Sequence, residues 1–430
     1  MSYDDFKVGV QAEYDRAQTI IMHTPGDELF FGVMQPTAAL FEDKPIDRYK
    51  VAEQHQNYIN TLKKQGANVL TIKEILLEGT LSDNDKPAKS KELEDLIKFA
   101  SQSVNYVYEK DVPQEKIQEM EALQSQVIQK MHPNDLVKII LENPEIRMRK
   151  SYEGNTDILA QYISNPVMNL HFLRDQQITT DKGIVIGKMN STQRKAETEI
   201  TKFAFKKLGI KPVYEVQGEG RLEGGDFIPC GDYAFLGQGL RTNAEGVKQL
   251  LENKAMNYKE VAVVKDAYKQ QDEMHLDTYF NIAGNKRAVI LEDRVDHYNE
   301  KGDLVKANPE KKTLVDIYKL VNNKYELDKK DKSFQDYLAE KGFSIDKGSL
   351  VTLTKDEQLN YGINFLTISN RNIIAIKGVS KDYISKMSKA GINVTEIPFD
   401  EFVKTYGAPH CATQVICRIE DKIRNISGFY

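Results

Sequence analysis

Cys411 sits in the run Tyr406-Gly407-Ala408-Pro409-His410-Cys411-Ala412-Thr413, far downstream of three polar clusters. These are Arg174-Asp175, Glu223-Gly224-Gly225-Asp226 and His275-Leu276-Asp277-Thr278. A thiol, an imidazole and several carboxylates are the groups needed to attack a cationic guanidinium carbon. The carboxylates hold the cation, the thiol attacks it and the histidine moves protons.

Taken singly, each cluster has a plainer reading. A lone cysteine is more often a small buried apolar side chain than a nucleophile. Gly407 and Pro409 set Cys411 in a tight loop, where functional residues concentrate, and His410, Thr413 and Gln414 make its neighbourhood polar. Cys417, after Val415 and Ile416, reads as structural, and Cys230 follows Pro229 at a turn. In a strand, His275 and Asp277 would point the same way, with Met274 and Leu276 toward the core. A metal site would need further ligands; His23, His55, His132, His171, His297 and His410 show no ligand spacing. No metal and no cofactor are therefore expected. Paired glycines in Glu223 to Asp226 suggest close backbone approach or positive φ. Carboxylates there would repel a phosphate. Asp175 ends the alternating run Leu170 to Asp175, where a strand-end ion pair is the ordinary reading.

The elements that must position these groups read as α/β. Strand candidates are Thr19 to Met22, Gly183 to Ile186, Val261 to Val264, Ala288 to Leu291 and Asn372 to Ile376, all β-branched and apolar. A unit of helix, glycine stop and strand recurs at Gly66, Gly209 and Gly391, each after a basic last turn. Such punctuation is common in α/β proteins and is also what an internal repeat would give. Strand signals vanish between residues 82 and 150. Leu93, Leu96, Ile97 and Ala100 mark one helical stripe; Met120, Leu123, Val127 and Met131 mark another. Pro133-Asn134-Asp135 opens a third helix. This predicts a helical insertion over 82–150 within a single catalytic domain, 1–430. Asp296 to Lys312 reads as a surface excursion, and Lys324 to Lys332 as a solvated face.

Bulk properties exclude several classes. The 430 residues are 40% hydrophobic and 29% charged, with net charge −5. No basic block suggests nucleic acid, and no apolar run nears the ~20 residues needed to span a bilayer. Met1-Ser2-Tyr3-Asp4-Asp5 lacks the basic start of a secretory signal. Three cysteines, an odd and sparse count, fit a reducing compartment. A cytoplasmic protein is expected, with a small-molecule substrate, no nucleic acid and no membrane, forming a homo-oligomer.

In order, the clusters resemble the arginine deiminases of the guanidino-group-modifying, or pentein, superfamily. Leu40-Phe41-Glu42-Asp43 is similar to that family's LFDD-like segment, and Phe172-Leu173-Arg174-Asp175 to its F-x-R-D motif. Glu223 to Asp226 matches EGGD and His275 to Thr278 matches HLDT. Pro409 to Thr413 is close to G-G-x-H-C-M-T. The resemblance implies a five-bladed α/β propeller around a central pocket, with a helical insertion. It implies hydrolytic deimination of L-arginine to L-citrulline and ammonia. Cys411 would be the nucleophile and His275 the general acid, then base. Asp175, with Glu223 or Asp277, would clamp the guanidinium. Asn169, Arg194, Arg241 and Asn364 fall where the family holds the amino-acid end of the substrate; arginines suit a carboxylate. Four departures stand out: Gln176 replaces the proline after R-D, Gly239-Leu240 precede Arg241 where S-E is common, Ala408 replaces a glycine, and Ala412 replaces methionine. Rival readings are an arginine dihydrolase, an amidinotransferase, an agmatine deiminase or a non-catalytic relative of the same fold acting as a binding module. A papain-like hydrolase would place its cysteine before the histidine.

Overall fold

All five apolar runs are strands in the computed structural model, which describes residues 8–299 and 301–420. The opening run Met1 to Asp5, read above for a leader, lies outside the described residues. The runs lack alternation because they are covered on both faces: Gly183–Ile186 is buried throughout, and so is Asn372–Ile376 after its first residue.

Five sheets share one local order. A central strand pairs in parallel with a strand that follows it in the chain and antiparallel with its other neighbour. The central strands are Arg16–Met22, Gly183–Ile186, Tyr233–Gln238, Arg287–Leu291 and Asn372–Ile376. Their parallel partners are Asn68–Thr71, Tyr214–Glu215, Glu260–Asp266, Leu350–Leu353 and Asn393–Ile397. Parallel strands need a crossover, and a helix lies in each: Arg48–Lys64, Lys195–Lys207, Ala244–Glu252, Phe334–Glu340 and Tyr383–Lys389. The antiparallel partners are Gln414–Ile419, Gln177–Thr180, Phe227–Pro229, Phe280–Gly284 and Leu366–Ser369. In four units this strand precedes the central one. The first unit takes it from far downstream, so Gln414–Ile419 completes the sheet that Arg16–Met22 begins.

The recurring glycine stop is a left-handed residue after each crossover helix. Gly66, Gly209 and Gly391 have φ of 87°, 70° and 72°. Two more units use the same device, with Gly342 at 88° and Lys254 at 54°. The fourth escapes the pattern because Gly342 stands well before its strand, and the third because lysine replaces glycine.

Residues 82–150 are only partly helical. Helices Lys91–Gln102, Gln114–Gln129 and Pro133–Glu142 are present, but strands Asn105–Tyr108 and Glu145–Lys150 lie among them, in a sheet with Ile158–Ile163. The Leu96 and Ala100 stripe is buried, with Leu93 and Ile97 packed against the same cluster. The second stripe is not: Leu123 and Val127 are exposed, and the helix buries Ile128 instead. Lys324–Ser333 is an exposed outer strand, where lysines discourage edge pairing. Within the expected surface excursion Lys311 is buried, bound to Glu273. Among the described residues no helix is long and apolar enough to cross a membrane.

Gly209 has open space where a Cβ would stand, so replacing it strains only the backbone. Gly209→Ala is expected to lower unfolding free energy by about 1 kcal/mol, read by urea denaturation; an unchanged midpoint would show that the left-handed stop is not under strain.

Candidate active site

Each chemical cluster lies just before the antiparallel strand of a different sheet. Asp175 precedes Gln177–Thr180, and Glu223 to Asp226 precede Phe227–Pro229. His275 and Asp277 precede Phe280–Gly284, Asn364 precedes Leu366–Ser369, and Cys411 precedes Gln414–Ile419. Five equivalent loops thus supply one site. A pocket partly open to solvent is lined by Asn169, Asp175, Arg194, Arg241, His275, Asn364 and Cys411. Glu223 and Asp277 are fully buried and reach this cavity through His275 and Cys411 rather than lining it.

The nucleophile turn is held by backbone bonds from Ala412 N–H to Ala408 and from Thr413 N–H to His410. Asn364 receives the Cys411 N–H on its side-chain oxygen at 3.2 Å and donates to the Asp277 carbonyl at 3.4 Å. Its amide is therefore committed beside the sulfur, at the inner end of the pocket. Arg174 donates its N–H to the Cys411 carbonyl at 3.1 Å and Nε to the His410 carbonyl at 3.2 Å. Gly407 lies against the Phe172 ring, where a Cβ would come within 2.4 Å.

Two local readings are corrected, and a third is narrowed to one of its alternatives. Leu170 to Asp175 is a chain of turns, not an alternating strand; N–H groups of Phe172 and Asp175 bond three residues back. His275-Leu276-Asp277 enters a short helix, Leu276–Tyr279, with His275 extended at its start. His275 and Asp277 reach the site from this bend, and Met274 lines the pocket instead of the core. Gly224 and Gly225 have no positive φ; both serve close approach. A Cβ on Gly224 would lie 2.0 Å from the Arg174 carbonyl oxygen, and one on Gly225 would lie 2.7 Å from His275 Nδ1.

The charges are arranged around the thiol. Asp277 Oδ2 lies 3.8 Å from Cys411 Sγ and accepts His410 Nδ1–H at 2.6 Å. Burial, then the charges of Asp277 and Asp175, push the thiol well above its ordinary value. His275 Nε2 meets Glu223 Oε2 at 2.9 Å, and its Nδ1 lies 4.0 Å from Asp175 Oδ1. Burial opposes charge on this ring, but Asp175, Glu223 and Asp226 prevail and hold it at about 9. Burial raises Asp226 to about 6. Glu223 falls to about 2, burial being outweighed by its bond to His275 and by Arg241 and Arg194. Asp175 Oδ1 and Asp277 Oδ1 are buried without a protein partner.

The two arginines differ. Arg194 is already engaged: Nη1 meets Asp175 Oδ2 at 2.7 Å, Nη2 meets Glu197 at 2.9 Å and the Asn169 carbonyl at 3.2 Å, and Nε meets both Glu197 oxygens at 3.1 Å. Gln176, the residue replacing the family proline, donates to the same Glu197 at 2.5 Å. Sequence reasoning missed Glu197, although the i, i+3 spacing from Arg194 could have flagged it. Arg241 has looser ties: Nη2 donates to Gln271 at 2.9 Å, and buried Nε has no partner. Asn169 donates to the Ala39 carbonyl at 3.0 Å, tying in the segment that brings Leu40 to the pocket. Gln271, Asp272, Tyr361 and Tyr406 also line the cavity. Tyr361 and Tyr406 adopt φ of 57° and 78°, which no motif announces.

A second buried ionic cluster fixes the His275 loop. Glu273 binds Arg294 at 2.5 Å, Lys311 at 2.7 Å and Lys355 at 2.9 Å, while Asp272 binds Lys355 at 2.5 Å.

Fold and site together define a mixed α/β protein whose loops bring a thiol, an imidazole and carboxylates to one pocket. A profile of the arginine deiminase family matches residues 38–418, and the chain belongs to that family. Curated relatives include arginine deiminases of Halobacterium salinarum, 25% identical over 96% of this chain and 97% of that protein. That of Borrelia garinii is 26% identical over 96% and 98%. Unliganded AgrE superposes with a TM-score of 0.53 at 14% identity, over 94% of this chain and 40% of AgrE. SxtG, an amidinotransferase from Microseira wollei, gives 0.50 at 12% identity, over 96% and 98%. These structural likenesses bear on the fold alone, the mixed α/β pentein fold.

Gly225→Ala should push the His275 ring and cut turnover of a guanidino substrate by at least ~10-fold. Gly224→Ala, which drives a methyl into backbone, should cost more in denaturation midpoint. Equal, small effects in both would contradict the close-approach role.

Proposed function

We propose that this chain hydrolyses L-arginine to L-citrulline and ammonia, with Cys411 as nucleophile. The observation that carries this reading is the pair of buried carboxylate oxygens without a hydrogen-bond partner, Asp175 Oδ1 and Asp277 Oδ1, on the two carboxylates whose charges act on the Cys411 thiol. A planar cation with N–H groups on its edges satisfies both. As the cation binds, the Cys411 thiol gives up its proton to solvent; Sγ then bonds to the guanidinium carbon, and His275 delivers its proton to a terminal nitrogen. The C–N bond breaks and ammonia leaves, giving an amidino-thioether. Water adds to this carbon and His275 takes one of its protons; the C–S bond breaks to release the thiolate, and the second water proton passes to ammonia or solvent as the ureido carbonyl forms.

Arg241 is the better receiver for a substrate carboxylate, since Arg194 is already paired with Glu197 and Asp175. Arg194 instead sets the Asp175 carboxylate, leaving Oδ1 toward the substrate. A carboxylate-reading arginine favours arginine over agmatine. The five like sheets, each giving one loop to the pocket, support the reading of a five-bladed propeller, with residues 82–150 as an insertion. Contacts of Arg16–Met22 with Leu366–Ser369, of Gln414–Ile419 with Gln177–Thr180, and of Phe280–Gly284 with Leu366–Ser369 support it too. Three cysteines outside any disulfide suit a reducing cytoplasm. Exposed Phe30, Phe31, Met34 and Tyr49 support self-association into a homo-oligomer.

Incubation with L-arginine should yield citrulline and ammonia in equal amounts, and Cys411→Ala should abolish both. Ornithine with two ammonia would make the chain a dihydrolase instead; no product from arginine but turnover of agmatine would move the specificity.

Because carboxylates and burial hold the thiol protonated, a bound cation should ionise it. Thiolate absorbance at fixed pH should rise on adding a guanidino ligand, and no rise would sink the idea. His275 must carry a proton to protonate the leaving nitrogen, so kcat/KM should fall as pH rises through about 9. The raised value also makes the imidazolium stabilising below its usual 6.5, a contribution lost as pH passes about 9.

A further inference from the structure

Behind the thiol runs a buried polar chain that the proposed reaction steps do not use. It begins at Asp277, whose Oδ2 accepts His410 Nδ1–H at 2.6 Å while Oδ1 has no protein partner. On the other side of the ring, Nε2 lies 3.4 Å from Glu13 Oε1. Glu13 is in turn bound by Arg418 Nη2 at 2.6 Å. Arg418 Nη1 donates to the Asp15 and Thr367 carbonyls at 2.8 and 2.7 Å. Asp277 and His410 are fully buried, and Glu13 is nearly so. The chain therefore joins the loop of one sheet, the nucleophile turn of a second and the segment before the first strand.

Resting on the reading that Asp277 grips the guanidinium, we infer that His410 is a positioning residue for the reaction, aimed by Glu13 and Arg418. A carboxylate turns easily about its last bond. With Oδ2 pinned by an N–H donor, Oδ1 is left in one direction, toward the substrate cation. The Nδ1–H that pins it must stay on that nitrogen. Glu13 Oε1 faces Nε2 at 3.4 Å without a hydrogen bond, so its hold on the ring is electrostatic. Arg418 keeps Glu13 ionised: burial works against its charge, yet Arg418 and Arg174 lead the groups that hold it at about 2.

The electrical consequence follows. Burial favours the neutral acid at Asp277, but the bond and charge of His410, helped by His275 and Arg174, keep its proton affinity below the ordinary value. The groups facing Asp277 are His410, His275, Asp226, Arg174 and Cys411. Those facing His410 are Asp277, Glu13, Arg174 and Arg418, with the Tyr58 hydroxyl on the adjoining Pro409 carbonyl. His410 is the one that touches Asp277 directly by side chain and does not line the pocket. A purely structural role would be filled as well by an apolar side chain, since a buried ionic chain is weak evidence for stability.

Two isosteric substitutions separate the roles of the ring nitrogens. His410→Asn keeps a donor near Nδ1 and loses the link to Glu13. His410→Gln keeps a donor toward Glu13 and loses the one on Asp277. For His410→Gln, kcat/KM should fall roughly 10–100-fold, the worth of one charge-assisted hydrogen bond. Its acid limb should move to higher pH, because Asp277 regains its proton affinity. His410→Asn, which keeps the Asp277 bond without Glu13 to aim it, should show a smaller fall and a smaller shift, of the size expected for Glu13→Gln. A second readout needs no turnover: millimolar guanidinium should protect Cys411 from iodoacetamide in the wild type and in His410→Asn, and much less in His410→Gln. If the wild type fails to convert arginine yet is protected, the reaction reading falls and the positioning role is still tested by alkylation. If His410→Gln does not fold, Glu13→Gln, which frees the ring but keeps the Asp277 bond, should show the same shifts at smaller size. Equal losses in the Asn and Gln variants, or unaltered profiles and protection in Glu13→Gln, overturn the proposal.

Discussion

Buried negative charge is the constraint on which the site depends. Asp175, Glu223, Asp226 and Asp277 are almost wholly withdrawn from water, and a lone buried carboxylate costs several kcal/mol or gives up its charge. The protein answers each one separately. Glu223 has His275, Asp175 has Arg194, and Asp277 has His410. Asp226 has the charge of His275, the Thr242 hydroxyl and the Leu276 N–H, which do not offset its burial, and its proton affinity rises. The compensation stops short at Asp175 Oδ1 and Asp277 Oδ1, which have no hydrogen-bond partner. That local deficit of positive charge would suit a cationic ligand, and burial with the charges of Asp277 and Asp175 holds the proton on the sulfur.

Such a concentration of charge needs rigid supports, and the fold provides five. Each chemical cluster stands at the entry of an antiparallel strand, one per sheet. The strands are covered on both faces, so the entry points hardly move. Two glycines let neighbouring loops touch: without a side chain, Gly224 seats against the Arg174 carbonyl and Gly225 beneath the His275 ring. The Glu273 cluster with Arg294, Lys311 and Lys355 then anchors the loop that carries His275.

Much of this was legible in the sequence, for reasons that differ by residue. The strands showed because continuous β-branched runs mean burial on both faces. Glu223 and Cys411 showed because polar groups beside glycine or proline stand out, whereas Asp175 and His275 showed through the order of motifs that resemble the arginine deiminases. The conformation at His275 did not show: a period of two fits His275 and Asp277, but a bend into a helix brings them to the same place. The strands Asn105–Tyr108 and Glu145–Lys150 were hidden by flanking helices. The half-exposed, charged Glu145-Ile146-Arg147-Met148 gives a weak signal, and Asn105-Tyr106-Val107-Tyr108 is too short to stand out between helices. The exposure of Leu123 and Val127 was also hidden, because a stripe records what could be buried and not what covers it. Arg194 was assigned from its type; its pairing with Glu197 and Gln176 could be found only in three dimensions.

The first sheet is finished by a strand from far along the chain, and Asp15 and Arg418, which meet there, are 403 residues apart. On the ribosome, Arg16–Met22 emerges early and must wait with one edge open until Gln414–Ile419 has been made. An open strand edge invites wrong pairing, and contacts this distant in sequence slow folding. The same delay has a protective side. Cys411 leaves the ribosome after every other reactive group of the pocket, so a chain cut short before it holds the carboxylates and the imidazole without the thiol. The strand that closes the first sheet and the sulfur that completes the pocket arrive together, within a few residues of one another.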